Sequence, residues 1–508
     1  MYSISRNFEN GIDDASRILD INGLLDQNPK EDEINVENSH LEARGKKNRH
    51  ADENNYQEER DKKLPAVYPE TYNAPIEEFD DILLYTVGER AKKSKGYRTD
   101  LLNAQSKNKK GSKGCDGAKR RRGKKIEGID LTSLLINCAQ SIAADDHRAA
   151  EELLRKIRKH SSPFGDGKQR LAHYFADGLE ARLAGTGSHM YKALVSKRTT
   201  ASDYLRAYYT CITSCPFFTI SNFTSNKLIT SKSEKSMRVH VIDFGILYGF
   251  QWPTFIQRLA EREGGPPMLR ITGIDFPQPG FRPAERIEDT GRHLARYAKM
   301  FNVPFEYNAI AQKWETIKIE DLKIEKDEFV AVNCMHRADN LVDEIVDNTG
   351  VEESPRNMVL NLIRKINPDI FVHGIVNGAY GVPYFVTRFR EALFRFSAVY
   401  DMLETNIPRE SPERMLIENG VFGKEALNVI ACEGWERVER PETYKLWQLR
   451  HLRAGFMQSP LGKKLTDSAA YKVRKFYDSD FMIDTDKQWL LMGWKGKIIY
   501  ALSCWQPV

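Results

Sequence analysis

The sequence predicts an α/β fold, in which a mostly parallel sheet carries a helical cap and follows a disordered N-terminal arm. Three observations lead to this prediction. Residues 1–125 are polar and charged, residues 126–235 show helical leucine spacing, and residues 236–508 alternate strand-like with helix-like stretches. Such alternation implies right-handed crossovers, which produce a mostly parallel sheet with helices on both faces.

The predicted disordered arm, residues 1–125, is acidic at first and basic later. Its Asn, Asp, Glu, Lys, Gln and Ser leave too few large apolar side chains to offset the entropy of ordering the chain. At residues 13–26 and 77–84, acidic residues are interleaved with bulky apolar ones. This pattern is typical of segments that fold as helices in a partner's groove. Chance clustering, or docking on the chain's own domain, is the alternative.

Two basic clusters end the arm. The first occupies residues 107–113, and the second comprises Lys119, Arg120, Arg121, Arg122, Lys124 and Lys125. Like charges separated by Gly cannot pack, so these clusters are expected to stay solvated. They predict a nuclear import signal, with a DNA phosphate-binding arm or a solubilising linker as alternatives. Because the net charge of the whole chain is only +5, any nucleic-acid surface must be local.

Composition argues against membrane and disulfide-rich classes of protein. The chain is 41% hydrophobic, but no apolar run approaches the ~20 residues of a membrane span, and the N-terminus has no hydrophobic signal core. Seven cysteines form no repeated Cys-x-x-Cys pairs. Disulfides, structural zinc and membrane partners are therefore not expected, and the predicted location is the cytosol or nucleus.

Helical periodicity begins near Ile129, where Asp130 is in position to cap the first helix. Apolar side chains then recur at three- and four-residue spacing. They are Leu131, Leu134, Leu135, Cys138, Ile142, Leu153, Leu154, Ile157, Leu171, Phe175, Leu179 and Leu183. The heptads are too short for an extended coiled coil, so a small helical cap is predicted. Either all of these side chains are core, or one exposed seam forms a homo- or heterodimer.

The second half of the chain supplies the predicted sheet. Candidate strands are residues 238–243, 269–275, 303–310, 328–333, 370–375, 426–431 and 497–504. Amphipathic helices are predicted at 283–301 and 354–366, the second with Ser354 as its cap and Pro355 in its first turn. Large tryptophan side chains are expected to close the C-terminal edge through buried area. They are Trp489, Trp494 and Trp505.

The stretch 239–253 predicts a buried strand, a turn and a new helix. Its apolar and β-branched start suits a parallel strand covered on both faces. Asp243 then lies at the carboxyl end of the strand, where open α/β sheets bind ligands. Gly245 and Gly249 would allow close approach of the backbone to a ligand. Leu247, between them, is expected to fill the space that a cofactor would occupy.

Two functions compete for the Asp243–Gly249 turn. A methyltransferase-like enzyme that uses S-adenosylmethionine would show an Asp-x-Gly-x-Gly-x-Gly pattern, and this chain has Leu247 at one of the glycine positions. Asp275, which ends the next candidate strand, has the position of a ribose-binding acid but also that of a turn cap. The sequence favours an architectural turn, so no cofactor is predicted.

Titratable residues form no recognisable catalytic pattern. No nucleophile-elbow, Walker or zinc-protease spacing joins the candidates, which are His240, Asp243, His336, His373 and Glu391. Arg388, Arg390 and Glu391 share a predicted helix and either pair structurally or form a polar patch facing a partner. The sequence therefore predicts neither enzymatic activity nor a metal site.

Three ordered groups of residues carry a family resemblance. The first is Val239, His240, Val241, Ile242 and Asp243. The second contains Pro368, Tyr384, Phe385, Arg390 and Glu391. The third contains Trp489, Trp494, Ser503 and Trp505. These groups resemble the VHIID motif, the PFYRE region and the SAW region of the plant GRAS family of SCARECROW-like transcriptional regulators, with Val241 in place of the usual Ile.

The resemblance covers roughly residues 130–508 and implies a Rossmann-like core with a helical cap. Residues 126–508 would form the GRAS-like domain, divided into a cap at 126–235 and an α/β core at 236–508. The resemblance also implies a nuclear regulator that binds transcription factors or co-regulators and contacts DNA directly or through them. A small-molecule-binding or methyltransferase-like enzyme at the Asp243–Gly249 turn is the alternative function.

Overall fold

The computed structural model describes residues 80, 82–84, 129–196, 201–343 and 353–508. Among these residues, nine strands join in one sheet. The strands are β1 Arg238–Phe244, β2 Met268–Asp275, β3 Phe305–Ala311, β4 Phe329–Met335, β5 Ile370–Val376, β6 Phe456–Ser459, β7 Phe481–Asp486, β8 Trp489–Trp494 and β9 Lys497–Pro507. Both predicted basic clusters, and nearly all of the predicted disordered arm, lie outside the described residues.

The sheet has a parallel half and an antiparallel half. Its strand order is β3-β2-β1-β4-β5-β9-β8-β7, and β6 also pairs with β9. Strands β1 to β5 pair in parallel, whereas β6 to β9 pair antiparallel. The order reverses between β1 and β4, which creates a switch point at their carboxyl ends. The predicted α/β fold is confirmed, and the extent of the antiparallel half is new.

Helices cover both faces of the sheet. They are α1 Leu131–Ala143, α2 His147–His160, α3 Gly167–Leu183, α4 Gly187–Ser196, α5 Ala201–Ser214, α6 Pro216–Lys232, α7 Trp252–Ala260, α8 Glu285–Met300, α9 Pro355–Ile366, α10 Phe385–Asn406, α11 Pro412–Ile417, α12 Lys424–Ala431, α13 Tyr444–Arg453 and α14 Lys463–Phe476. Asp130 caps α1 by accepting the backbone N–H groups of Thr132 and Ser133. Ser354 caps α9, with Pro355 at its first position, as predicted.

The helical cap contains helices that precede β1 in the sequence and helices that follow it. Helix α3 packs against α1 and α2, and also against α10 and α12. The predicted leucine stripes mostly face this shared interior, because Leu135, Leu154 and Leu179 are buried. The cap is therefore completed by helices from the second half of the chain.

The predicted strand at 426–431 is wrong, because these residues belong to helix α12. A short apolar run in a strand cannot be distinguished from one in a buried helix by periodicity alone. Here α3, α4 and α10 enclose the helix, and five consecutive residues, 426–430, are buried. Tertiary surroundings, rather than local preference, decide this element.

The core lies on both faces of the sheet, and β1 contributes to each. Val239 and Val241 join the apolar cluster on one face, whereas Ile242 and Phe244 join the cluster on the other. This follows from the alternation of side chains along a strand. Within the described ranges, no helix is long and apolar enough to cross a bilayer.

Candidate functional site

The carboxyl end of β1 holds a buried carboxylate. Asp243 is 5% exposed, and burial raises its pKa to about 7. The indole N–H of Trp252 donates to Asp243 Oδ2 at 2.8 Å, and the side-chain N–H of Asn333 donates to Oδ1 at 2.8 Å. Because protein donors occupy both oxygens, Asp243 joins β1 to α7 and β4.

A polar network continues from this carboxylate into the cap. Gln251 Nε2 donates to Ser225 Oγ at 3.2 Å and to Asn226 Oδ1 at 3.1 Å. Ser225 Oγ donates in turn to Asn333 Oδ1 at 2.8 Å. Buried polar groups that satisfy one another in this way fix relative positions. The network therefore ties helix α6 to the switch point of the sheet.

Gly245 makes room for a protein side chain. Its φ is 93°, in the left-handed region, and a Cβ there would lie 2.6 Å from Cγ of Arg337. Arg337 follows β4 directly, at the same edge of the sheet. Any side chain at this position would clash with Arg337, so glycine is required here. The sequence had suggested that the glycine allows a ligand to approach instead.

Asp275, the candidate ribose-binding acid, is engaged by the chain itself. It is 1% exposed, and its Oδ2 accepts from Arg286 Nη2 at 2.6 Å. Its Oδ1 accepts the backbone N–H of Phe276 at 2.8 Å, and Arg337 Nη2 lies 3.6 Å from the same oxygen. A ribose hydroxyl would have to displace these partners before it could bind.

Ile246, and not Leu247, fills the inside of the turn, contrary to the prediction. Leu247 is half-buried, with a left-handed φ of 50°. Ile246 is 5% exposed, and a Cβ on Gly273 would lie 3.0 Å from its Cδ1. Because Leu247 has a left-handed backbone conformation, the chain changes direction there. The side chain of the neighbouring Ile246 therefore packs in the apolar interior.

Aromatic side chains fill the space beside the turn. The rings of Phe276 and Trp314 stack with centroids 5.0 Å apart, and Trp314 meets Phe244 edge-on at 5.4 Å. The Arg337 guanidinium lies 5.9 Å from the Phe276 ring centroid. An adenosine cofactor would need this stack to open and two arginines to leave Asp275. The residues present therefore do not fit such a cofactor.

The candidate histidines lie apart, in separate buried settings. His240 Nδ1 is 3.1 Å from a Glu328 carboxylate oxygen, and burial lowers the histidine's pKa. His373 Nδ1 is 3.1 Å from Nε2 of His451. Burial also lowers the pKa of His336 to about 4 and that of His451 to about 3. These rings are therefore neutral core groups at physiological pH.

The first PFYRE-like residues are split between the core and the surface. Pro368 is buried just before β5, whereas Tyr384, which precedes α10, is 60% exposed. Phe385 is half-buried, and the Arg182 guanidinium lies 3.7 Å from its ring centroid. This cation–π interaction joins α3 to the start of α10.

The charged residues of the same helix take different roles. Arg388 is fully buried, donates to the Val429 carbonyl at 2.8 Å and forms an ion pair with Glu433. Arg390 and Glu391 are exposed. Of the two roles considered for these residues, structural pairing applies to Arg388, whereas Arg390 and Glu391 are placed to face solvent or a partner.

The SAW-like residues lie fully buried on β8 and β9, in the antiparallel half of the sheet, and they are Trp489, Trp494, Ser503 and Trp505. Trp505 stacks on His451 with ring centroids 4.2 Å apart, and its indole N–H donates to Ser503 Oγ at 2.7 Å. The Trp494 indole N–H donates to Asp401 Oδ2 at 2.7 Å. The tryptophans therefore connect β8 and β9 to α10 and α13.

Among the residues of the site that the sequence analysis missed are Arg286, Trp314 and Arg337. A signal existed for Arg337, since it follows a candidate strand whose carboxyl end lies at the same sheet edge as Asp243 and Asp275. A cation at that position is a natural partner for a buried acid. The basic residues 119–125 lie outside the described residues, and their assigned role stays a prediction.

Comparisons with known proteins agree with this architecture. The profile described as the GRAS domain family matches residues 131–506. Scarecrow-like protein 9 of Arabidopsis thaliana is 54% identical over 498 residues, which cover 94% of this chain and 68% of that protein. Scarecrow-like transcription factor PAT1 of Arabidopsis thaliana is 32% identical over 75% of this chain and 77% of its own length. The crystal structure of SCL7 in Oryza sativa has a TM-score of 0.62 and 27% identity, and covers 75% of this chain and 100% of that one.

Proposed function

Because this chain belongs to the GRAS domain family, we propose that it is a nuclear transcriptional regulator that acts through contacts of its folded domain with other proteins. The filled crevice at the switch point is the observation that carries the proposal. Arg286 and Arg337 hold Asp275, and the aromatic stack occupies the adjoining space. Since Rossmann-like folds serve enzymes and binding proteins alike, this local chemistry favours a binding protein without catalytic activity.

An exposed face of α10 suits a protein partner. Tyr384, Glu391 and Phe394 recur at helical spacing, and Tyr384 and Phe394 are 60% and 65% exposed. Aromatic side chains flanked by charge are typical anchors of protein interfaces. One relative is itself named a transcription factor. Transcription factors or co-regulators are the proposed occupants of this face.

S-adenosylmethionine is expected to leave the melting temperature of the full chain unchanged. A ligand that binds only the native state raises apparent stability by mass action, but the space at the Asp243–Gly249 turn is already filled. Thermal shift with and without the compound is the measurement, with adenosine as a control for nonspecific effects. A rise that saturates with S-adenosylmethionine concentration would favour the enzyme alternative.

Nuclear entry is proposed to depend on the second basic cluster. Replacing residues 119–122 with Ala is expected to move a fluorescent fusion from nucleus to cytoplasm, because import receptors read clustered positive charge. A double variant of exposed residues, Lys463→Ala with Lys464→Ala, should leave the distribution unchanged. Retained nuclear accumulation of the first variant, with entry on a partner excluded, would contradict the import signal.

DNA binding is proposed to be weak, salt-sensitive and largely independent of sequence. Flexible Lys and Arg bind phosphates, whereas base discrimination needs side chains positioned in a groove. The 119–122 Ala variant should bind duplexes more weakly. The slope of log affinity against log salt concentration should become shallower by up to about 0.9 for each phosphate that the variant no longer neutralises. Fluorescence anisotropy across a salt series measures this. Undiminished, sequence-selective binding by the variant at physiological salt would overturn the proposal.

We also propose that the chain forms a dimer through its leucine-rich cap. Leu131, Leu134 and Leu153 are only partly buried, and they pack at the margin of the core. Partly exposed leucines on adjacent helices, α1 and α2, offer a short apolar seam. A homodimer or a heterodimer would cover it.

A further inference from the structure

A short acidic and apolar segment far from the folded domain in sequence is buried against it. Asp80, Leu83 and Leu84 are 6%, 5% and 8% exposed. The backbone N–H of Leu84 donates to the carbonyl of Asp80 at 3.2 Å, which closes one helical turn. We call Asp80 and residues 82–84 the docking segment. The sequence left open whether this segment binds a partner, is a chance cluster or docks on the chain's own domain. The structure shows it docked on the chain's own domain.

The docking segment lies in an aromatic groove between the cap and the turn after β1. Leu83 forms an apolar cluster with buried Leu205, and Tyr208, Tyr248 and Phe250 pack against this pair. The Tyr248 and Phe250 rings stack with centroids 5.5 Å apart, and Phe250 lies 4.9 Å from Tyr208. Rigid aromatic side chains present a large contact area at low entropic cost. We call these residues, with Tyr204 beside Tyr248, the aromatic groove.

Charge complementarity fixes the other end of the segment. The Asp80 carboxylate is paired with Arg296 on α8: Nη1 lies 3.3 Å from Oδ2, and Nη2 contacts Oδ1. This hydrogen-bonded pair raises the pKa of Arg296. The Arg296 side chain is 29% exposed, and its guanidinium also lies 4.4 Å from the Tyr297 ring centroid. A two-point guanidinium–carboxylate interaction specifies orientation as well as affinity.

We propose that the aromatic groove is an intramolecular receptor for the docking segment, and that this interaction withholds the segment's acidic and apolar surface from other proteins. The leucines and the carboxylate that would enter a partner's groove are the groups already buried here. Tethering gives the segment an effective concentration on the order of mM, so a separate acidic helix competes only after release. The proposal does not depend on the transcriptional role.

Peptide competition in the full chain tests the proposal. The double variant Leu83→Asp with Leu84→Asp should vacate the groove, because it would bury one carboxylate against the aromatic rings and the other in the main apolar core. A fluorescent peptide of residues 76–88 should then bind the variant at least about ten-fold more tightly than the wild-type chain, in which the tethered copy competes. Equal or weaker binding to the vacated variant would overturn the proposal.

Charge reversal identifies the site of binding. In the vacated chain, Arg296→Glu should weaken the peptide at least about ten-fold, because a carboxylate then faces Asp80, and a peptide carrying Asp80→Arg should recover the loss. Arg292→Glu is the matched control on the same helix, with a side chain 66% exposed. It should leave binding unchanged. Equal losses for both variants would place the peptide elsewhere.

Hydrogen exchange gives a test that does not rely on the leucine variant. The Leu84 amide, which donates to the Asp80 carbonyl, should exchange more slowly than in the full-length Arg296→Glu variant, because loss of the ion pair frees the segment. Unprotected exchange in the wild-type chain would contradict docking.

Discussion

Replacing Arg170 with Met is expected to destabilise the folded domain by about 3–5 kcal/mol, because it leaves a carboxylate buried without its main partner. Arg170 and Glu418 are both 0% exposed, and Arg170 Nε lies 3.0 Å from each carboxylate oxygen. Arg170 Nη1 also donates to Glu404 at 2.6 Å. The cluster joins α3 to α10 and to the π-helix Glu418–Gly423, between α11 and α12. Chemical denaturation of the full chain measures the effect.

Two comparisons separate charge from shape in this cluster. Lys156 pairs with Glu152 on the surface of α2, with both side chains more than half exposed, so Lys156→Met should cost no more than about 1 kcal/mol. Adding Glu418→Leu to Arg170→Met should restore part of the lost stability, since the buried carboxylate that is left with only Arg414, 3.9 Å away, is then gone. A single Arg170→Met variant as stable as the wild type would show that Glu418 does not need this partner.

Replacing Trp505 with Ala is expected to cost about 3–5 kcal/mol, because it removes a fully buried ring and leaves a cavity in the antiparallel half of the core. The ring stacks on His451 and meets Trp489 edge-on, with centroids 6.1 Å apart. Trp435 is the matched control, since its side chain is 52% exposed. Trp435→Ala should change the unfolding free energy by no more than about 0.5 kcal/mol.

Urea denaturation monitored by far-ultraviolet circular dichroism distinguishes these outcomes without relying on tryptophan fluorescence. The midpoint should fall for Trp505→Ala, while the dependence on urea stays constant, because the same surface is exposed on unfolding. Similar midpoints for the two tryptophan variants would mean that the Trp505 ring contributes little to the stability of the domain.

The parallel half of the sheet was predictable because its signals are local. Short apolar strands, capped helix starts and alternating periodicity place β1 to β5 within a few residues of their observed bounds. Asp130 and Ser354 were identified as caps for the same reason, since a cap bonds to its own first turn. The residues of the family motifs also follow from the sequence alone, as does their order.

Tertiary structure decided what depends on residues far apart in the chain. Helix α12 was mistaken for a strand because its consecutive buried run at 426–430 is short and mostly apolar, as in a buried strand. Leu247 was taken as the filler of the turn, but the left-handed backbone there leaves that role to Ile246.

The candidate site and the docking segment show the same division between sequence and structure. Asp243 and Asp275 could be located from strand ends, but whether they bind a ligand depended on arginines that arrive from α8 and from the end of β4. The acidic and apolar pattern of residues 80–84 is local, whereas its receptor is assembled from α5, α8 and the turn after β1. Periodicity and capping act within a few residues, so the sequence determined the elements. Ion pairs and packing join residues that lie hundreds of positions apart in the chain. Only the tertiary structure therefore decided which side chains remain available to bind a ligand or a partner.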